Sequence, residues 1–230
     1  LSKCGSHHTT FVSPADPDLV YLGAVELYRG RRSGGTWTWG NISSRATGDS
    51  VHPDQHHLAF DPTDPNVLYV CNDGGVFRTP NGGTNWTSLN RGLNITEFEF
   101  LAQMERDDTW IIGGTQDNGS LSHQPLGTWK QIALGDGGDC GVDEARNFCY
   151  HSYFGMGIER APATGPSAFR WRDVSPPFDD GYDSLFYPPM DVRGTIVAQA
   201  GVTVFVSDDS GDHWAEVDCG FTGNTSTLLI

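Results

Sequence analysis

Short apolar segments alternate with turn-forming residues along the whole chain, and strong helix signals are absent. Segments such as 67–71 (V-L-Y-V-C) and 202–207 (V-T-V-F-V-S) are rich in β-branched and aromatic residues and are bounded by Gly, Asn or Asp. Short segments of this kind between turn residues are typical of β-strands. The pattern therefore predicts an all-β protein.

A repeat of 42 to 49 residues organises these segments, as five tryptophans show. Residues 79–86 (T-P-N-G-G-T-N-W) and 207–214 (S-D-D-S-G-D-H-W) share the form S/T-x-D/N-x-G-x-x-W, and residues 30–37 are a less regular copy. The tryptophans that mark the repeat are Trp37, Trp86, Trp129, Trp171 and Trp214. A repeat of this length with four short strands, here named a to d in chain order, is typical of a β-propeller blade.

The sequence thus predicts one β-propeller domain over residues 1–230, with about five four-stranded blades. The predicted blades cover residues 8–40, 56–90, 97–133, 140–174 and 184–218. The predicted strands include 57–60, 67–71, 76–79 and 85–89 in the second blade, 140–143 in the fourth and 184–192 in the fifth. Residues 225–230 are expected to form a strand that closes the first blade or begins a further one. The five units therefore form either a small ring or part of a larger propeller.

Composition restricts the partners of the chain. Its 230 residues include 14 Lys and Arg against 29 Asp and Glu, which gives a formal net charge of −15. Because this charge repels phosphate groups, we expect no nucleic-acid partner. No apolar run approaches the roughly 18 residues of a spanning helix, so we expect no membrane span. The acid excess, the two lysines and the five cysteines favour a secreted or extracytoplasmic protein.

The cysteines allow two disulfides. Cys140 and Cys149 are nine residues apart across a turn-like segment and could face each other in a hairpin. Cys4 and Cys219 lie near the two ends and could meet if the blades close into a ring. Spacing alone does not decide pairing, and the alternative is that all five cysteines are reduced.

The boxed motif resembles the Asp-box, or BNR repeat, of sialidase-type β-propellers, which include sialidases, xyloglucan-type endoglucanases and sortilin-like receptors. Residues 54–86, followed by 113–120 (G-G-T-Q-D-N-G-S) and 135–139 (G-D-G-G-D), are similar to secreted bacterial BNR-repeat proteins. The resemblance implies a propeller fold, and the box residues are expected to be structural. These residues are Asn81, Trp86, Asp209 and Trp214.

One face of the predicted propeller collects the other polar clusters. In a four-stranded meander, the b–c turns and the d–a connections emerge at one end of the blade, and the a–b and c–d turns at the other. Acid- and glycine-rich clusters fall on the first end, at residues 51–57, 72–75, 115–119, 135–139, 153–155 and 178–183. Propellers bind ligands around the channel on this face, so we expect the functional site there.

Paired carboxylates on this face predict glycoside hydrolysis. That reaction needs two carboxyl groups about 5–5.5 Å apart for retention or 6.5–9.5 Å for inversion. We expect the catalytic residues among Asp54, Asp117 and Asp139. The substrate-binding candidates are Gln55, His56, Asp73, Gln116, Asn118, Tyr153 and Tyr182. The aromatic members, together with Phe154, could stack on sugar rings.

The same face offers metal ligands, although no cofactor is required. His52, Asp54 and His56 alternate, so on an extended segment they would share one side and suit a transition metal. Carboxylates such as Asp73 and Asp136 would suit Ca²⁺. The alternative is that the Asp-Gly and Asn-Gly pairs are ordinary turn residues without a ligand.

The sequence therefore predicts a secreted, glycan-directed protein that acts on a polysaccharide or glycoconjugate as a glycoside hydrolase. The alternative is a non-catalytic propeller that binds carbohydrate or protein, either lectin-like or sortilin-like. The clusters differ from blade to blade, which favours one central site over repeated lectin pockets. Sialidases bind the substrate carboxylate with three arginines, and the sequence places no such triad near strand a, which argues against a sialidase.

Overall fold

The computed structural model describes residues 9–43, 50–124, 127–163, 170–178, 184–220 and 223–230. These residues form twenty strands and no helix. The chain divides into two compact units, residues 1–95 and 96–230, which are described separately below. No helix in the described ranges is long and apolar enough to cross a membrane.

The first unit contains two four-stranded antiparallel sheets. The first sheet comprises β1 (Thr9–Ser13), β2 (Asp16–Gly23), β3 (Leu27–Ser33) and β4 (Thr36–Asn41). The second comprises β5 (Gln55–Phe60), β6 (Leu68–Asn72), β7 (Gly75–Thr79) and β8 (Thr87–Ser88). A single core made mainly of aliphatic and aromatic side chains from both sheets lies between them.

The second unit contains three sheets of the same kind. The third sheet comprises β9 (Phe100–Met104), β10 (Asp107–Thr115), β11 (Gly119–Gln124) and β12 (Thr128–Ala133). The fourth comprises β13 (Cys140–Asp143), β14 (Phe148–Ser152), β15 (Ile158–Pro162) and β16 (Arg172–Asp173). The fifth comprises β17 (Met190–Arg193), β18 (Ile196–Ala200), β19 (Val204–Ser207) and β20 (Ala215–Val217).

Each strand pairs with its neighbours in sequence, so every sheet is an antiparallel meander. This is the strand order of a propeller blade. The predicted fold class, an all-β propeller architecture with about five four-stranded blades, is confirmed. Because each sheet is a meander, its b–c turn and the following d–a connection lie at the same end, as expected.

The two regular boxes form the same turn. The Oδ1 atom of Asn81 accepts hydrogen bonds from the Thr79 hydroxyl at 3.0 Å and from the Asn85 backbone N–H at 2.9 Å. Asp209 accepts the equivalent bonds from Ser207 at 2.9 Å and from His213 at 2.8 Å. The acidic or amide side chain therefore holds the c–d turn closed.

The box tryptophans connect consecutive sheets. The indole N–H of Trp86 donates to the Ile42 carbonyl at 2.8 Å, and that of Trp214 donates to the Val174 carbonyl at 2.9 Å. Trp171, which lacks a full box, makes the same kind of bond to the Ile132 carbonyl at 2.9 Å. Each acceptor lies at or just after the last strand of the preceding sheet. The repeat thus marks a recurring contact between neighbouring sheets.

The hairpin that carries Cys140 and Cys149 forms, but the two cysteines remain free thiols. In the β13–β14 register, Cys140 lies opposite His151 and Cys149 lies opposite Val142. The cysteines are therefore diagonal neighbours, and such pairs lie about 7–8 Å apart, which is too far for a disulfide. The predicted Cys140–Cys149 bond is wrong. Cys4 lies outside the described residues, and Cys219 is an exposed free thiol.

Residues 223–230 contain no strand, although 225–230 were predicted as one. The Thr225 backbone N–H donates to the Gly201 carbonyl at 2.9 Å. The Ile230 N–H donates to the Asp191 carboxylate at 2.8 Å. This segment therefore contacts the fifth sheet through single hydrogen bonds rather than a ladder.

Candidate functional site

The candidate catalytic carboxylates belong to both units. Asp54 lies in the first unit, whereas Asp117 and Asp139 lie in the second.

In the first unit, Asp54 is held by the preceding blade. Its backbone N–H donates to the Val25 carbonyl at 2.9 Å, and its φ of 61° is left-handed. An oxygen of its carboxylate lies within 4.8 Å of one from Asp73, and both side chains are half-buried. The b–c turn and the d–a connection of this unit thus bring two of the predicted carboxylates together.

The three predicted metal ligands of the first unit, His52, Asp54 and His56, have different surroundings. The left-handed φ of Asp54 interrupts the extended alternation that would align His52 with His56. A β-carbon on Gly74 would lie 2.4 Å from the His52 ring, so that imidazole packs on the turn. The His56 imidazole contacts the Asp73 carboxylate. These side chains do not form a shared ligand set within the described ranges. A bound cation remains a prediction.

Gln55 was predicted to bind substrate, and the structure corrects this. The side chain is fully buried. Its amide N–H group donates to the His52 carbonyl at 2.5 Å and to the Val25 carbonyl at 3.3 Å. Its amide oxygen accepts from Asn72 at 3.3 Å. Since donors and acceptor are used internally, Gln55 supports the loop instead of contacting a ligand.

In the second unit, the glycine-rich segment 135–139 fits closely between two sheets. The Gly137 N–H donates to the Thr115 carbonyl, and the Gly138 N–H donates to the Ser152 carbonyl, both at 3.0 Å. A β-carbon on Gly138 would lie 2.5 Å from the Ser152 Oγ, so a side chain would not fit there. The segment therefore fixes the b–c turn of the third sheet beside strand b of the fourth.

Three carboxylates of the second unit lie close to Tyr187. Glu99 precedes β9, Asp117 lies in the b–c turn of the third sheet, and Asp136 lies in the following connection. The Asp136 Oδ1 accepts a hydrogen bond from the Asp117 backbone N–H at 3.0 Å. Burial raises the pKa of the Tyr187 hydroxyl, and the three nearby carboxylates raise it further. The hydroxyl therefore stays protonated and acts as a hydrogen-bond donor.

The Tyr187 hydroxyl oxygen is buried and has no hydrogen-bond partner among the residues that the structure describes. Buried polar atoms in folded proteins nearly always have a partner, in the protein or in a bound molecule. The aromatic ring packs edge-on against Phe100 and Phe186, at centroid distances of 5.5 and 4.7 Å. The ring is thus fixed, and its hydroxyl is enclosed without a partner among the described residues.

Exposed aromatic rings lie next to these carboxylates. Phe154 and Phe186 are stacked, with centroids 5.8 Å apart and planes inclined by 16°. Tyr153 contacts Phe154 at 4.3 Å. Tyr153 is 37% exposed, Phe154 is 49% exposed and Phe186 is 54% exposed. We use the name second-unit rim for Glu99, Asp117, Asp136, Tyr153, Phe154, Phe186 and Tyr187.

Asp139 was predicted to be catalytic, and its contacts indicate a structural role. Its Oδ1 accepts from the Cys140 N–H at 2.8 Å, and its Oδ2 accepts from the Met190 N–H at 2.9 Å. Burial raises the pKa of this carboxyl despite these bonds. Because each oxygen accepts a backbone N–H and the two donors come from neighbouring sheets, Asp139 joins strands β13 and β17.

Of the remaining substrate-binding candidates, Asp73, Gln116, Asn118 and Tyr153 lie in b–c turns, whereas His56 lies within β5 rather than in the d–a connection. Gln116 is exposed, and its carbonyl accepts the Asn118 backbone N–H at 2.8 Å. The Asn118 carbonyl in turn accepts from the Gln131 side chain at 2.9 Å. Tyr182 lies outside the described residues.

Glu99, Phe186 and Tyr187 were not predicted from the sequence as members of the site. Residues 184–192 were predicted as strand a of the fifth sheet, but β17 begins at Met190. Pro188 and Pro189 precede it, and proline cannot donate to a ladder. This proline pair was the available signal that the two aromatics lie in a connection on the rim.

A buried polar array lies beside the rim. The His151 ring contacts the Ser120 hydroxyl through Nδ1 and the Glu159 carboxylate through Nε2, both at 3.1 Å. Burial lowers the pKa of His151, and Glu159 opposes this effect. Ser120 is fully buried, so a substrate cannot reach its hydroxyl. The array therefore connects the third and fourth sheets.

No protein-family model and no curated protein matches the chain. Among solved structures, the chain is similar over 96% of its length to an ancestral GH74 enzyme, with 16% identity and a TM-score of 0.44, and it covers 32% of that enzyme. It is similar over 96% of its length to YCF48 from Cyanidioschyzon merolae, with 16% identity and a TM-score of 0.45, and it covers 88% of that protein.

A third similar structure is the GH74 xyloglucanase from Xanthomonas campestris. The identity is 20%, the TM-score is 0.42, and the match covers 92% of this chain and 38% of the xyloglucanase. The chain thus spans only about a third of the length of these GH74 enzymes. The similarities do not assign an activity to it.

Proposed function

We propose that this chain is a secreted, glycan-directed protein that hydrolyses a glycosidic bond at the second-unit rim. The observation that carries the proposal is the placement of exposed aromatic rings beside Asp117, Asp136 and the unpartnered Tyr187 hydroxyl. The acid excess and the small number of lysines support an extracytoplasmic location.

The aromatic side chains supply the binding surface. Flat apolar rings bury the C–H faces of a sugar, while hydroxyl and carboxylate groups bond to its hydroxyls. Phe154 and Phe186 present such rings. The protonated Tyr187 hydroxyl is buried in the free protein and would donate to a sugar only if binding moved the side chains that cover it. A saccharide stacked on these rings would lie next to the carboxylates of the rim.

Asp117 and Asp136 supply the candidate carboxyl pair. Glycoside hydrolysis requires one carboxyl group to protonate the leaving oxygen and a second to act as base or nucleophile. The hydrogen bond from the Asp117 N–H to Asp136 fixes the two residues relative to each other across 19 positions of sequence. We assign the pair these two roles without choosing between retention and inversion.

The proposal is tested by reducing-sugar release from plant, algal and host polysaccharides, with the Asp117→Asn and Asp136→Asn variants. Both variants should fold. Asparagine tolerates the left-handed φ of 63° at position 117, and it retains an acceptor oxygen at position 136. Loss of general acid–base catalysis should lower release by a factor of about 10²–10⁴. Asp108→Asn, at an exposed residue near the start of β10, is the matched control.

The alternative is a non-catalytic propeller that binds carbohydrate or protein. It is favoured if no polysaccharide is cleaved but Phe154→Ala and Phe186→Ala abolish binding to a glycan array. Release that survives both aspartate substitutions would refute the assigned pair. Repeating the assay with EDTA tests the predicted metal, because loss of release on chelation would indicate a bound cation.

A further inference from the structure

We infer that the second-unit rim takes an uncharged saccharide and rejects acidic glycans such as uronic, sulfated or sialylated chains. The inference rests on the proposed function and specifies its substrate class. It follows from the way the second unit distributes its charges between the two ends of its sheets.

The rim end carries acidic groups. Glu99, Asp117 and Asp136 lie there, and their charges act on the same phenolic hydroxyl. Asp139 lies in the same connection, with its carboxylate engaged by two backbone N–H groups. An anionic sugar placed on the rim would therefore face three or more carboxylates.

The arginines of the second unit lie at or reach toward the opposite end. They are Arg106, Arg146, Arg160, Arg170, Arg172 and Arg193. Arg160 donates to the Ser210 carbonyl at 2.6 Å and pairs with Asp212 at 3.1 Å, both in the box of the fifth sheet. Arg172 also pairs with Asp212, at 3.0 Å.

The other arginines follow the same distribution. Arg146 donates to the Asp209 carbonyl at 3.0 Å, again in that box. Arg106 contacts Asn147 and the Glu144 carbonyl, in the a–b turns. Arg170 precedes β16, and Arg193 ends β17 before its turn. The single lysine of this unit, Lys130, lies within β12. No described arginine or lysine of the second unit is therefore placed by its strand position in the rim turns.

This distribution has a direct consequence for recognition. A carboxylate on the ligand would meet like charges at distances where each repulsion reaches on the order of 1 kcal/mol, or several-fold in affinity. A neutral sugar avoids that cost, while its hydroxyls can donate to the rim carboxylates. The rim thus combines sugar-stacking rings with a charge that selects against anionic chains.

The test compares matched polysaccharides on the full chain. Soluble glucan, mannan and galactan oligosaccharides are each paired with a derivative carboxylated at C6, and binding is measured by calorimetry. We expect each neutral oligosaccharide that binds to bind at least about tenfold more tightly than its carboxylated counterpart at low salt. The difference should shrink at about 0.5 M NaCl, where exposed charges are screened.

A rim variant and a matched control locate the effect. Glu99→Gln removes one rim charge. It should reduce the difference in affinity between neutral and carboxylated oligosaccharides several-fold. Glu105→Gln removes a charge from the exposed a–b turn of the same sheet and should leave the difference unchanged. An equal effect of the two variants would overturn the inference, because selectivity would then reflect net charge alone.

The outcomes separate this inference from the proposed function. Binding of carboxylated oligosaccharides as tight as, or tighter than, their neutral counterparts overturns the inference but leaves a glycan-directed protein. Binding of neither class, together with no reducing-sugar release, overturns the proposed function and the inference with it. Tighter neutral binding that weakens with Phe154→Ala supports both.

Discussion

At the scale of single residues, Tyr187 is the member of the second-unit rim with an unsatisfied polar atom, a feature that Ser152 and Gln199 share among the described residues. Its ring is held by Phe100 and Phe186, yet its hydroxyl oxygen is buried without a partner among the described residues. A buried hydroxyl without a hydrogen bond costs stability. A water, an ion or a ligand can supply the missing partner of such a group.

Tyr187→Phe should therefore separate stability from binding. We expect the free energy of unfolding to stay the same or rise by up to about 1 kcal/mol, because the substitution removes an unsatisfied polar group. If binding exposes this hydroxyl to the glycan, the substitution should lower affinity by roughly tenfold because the donor is lost. Unchanged affinity would show that the hydroxyl stays buried in the complex. Urea unfolding and calorimetry measure the two quantities, with Tyr153→Phe as the control. A clear loss of stability would show that the hydroxyl is already satisfied in the free protein.

At the scale of strands and sheets, the repeat was readable because three of its five tryptophans, Trp86, Trp171 and Trp214, make the same contact with the preceding sheet. The predicted strand at 140–143 matches β13, and the predicted strands of the second unit of the repeat lie within three residues of β5 to β8. The tryptophan spacing is a usable signal because the indole N–H of one sheet donates to a backbone carbonyl at the end of the preceding sheet.

The site was less predictable than the sheets. The sequence shows which turns share an end, but not which aspartates meet, because backbone contacts of Gly137 and Gly138 decide that. Asp139 was predicted to be catalytic and Asp136 only to suit Ca²⁺, yet strands β13 and β17 occupy both oxygens of Asp139. Gln55 likewise looked unusual for a turn, and its burial between polar backbone groups explains why it is there.

The indole contact between sheets should carry measurable stability. Trp86 is 4% exposed and donates to the Ile42 carbonyl at 2.8 Å. Trp86→Phe leaves that carbonyl without its donor and leaves space in the core, so we expect a loss of about 2–3 kcal/mol in urea unfolding. Trp37→Phe, at a 37% exposed residue of the less regular box, should cost less than about 0.5 kcal/mol. Equal losses would show that the buried indole bond is unimportant.

At the scale of the whole molecule, the excess of negative charge is the main electrostatic feature. The 29 acidic residues exceed the 14 basic ones, and the surface ion pairs, such as Arg31–Asp16 and Arg32–Asp18, involve exposed side chains. Exposed pairs contribute little to stability. Repulsion among the excess carboxylates should therefore outweigh attraction, and folding should bring those charges closer together.

Salt should accordingly stabilise the protein. We expect the urea midpoint to rise between about 0.02 and 0.5 M NaCl, because the Debye length falls over that interval and screens the repulsion. Tetramethylammonium chloride at equal ionic strength should act equally, since screening does not depend on the cation. A falling midpoint would show that attractive pairs dominate after all. Calcium chloride provides the further comparison: stabilisation beyond its ionic strength indicates a bound cation, whereas an equal effect indicates screening alone.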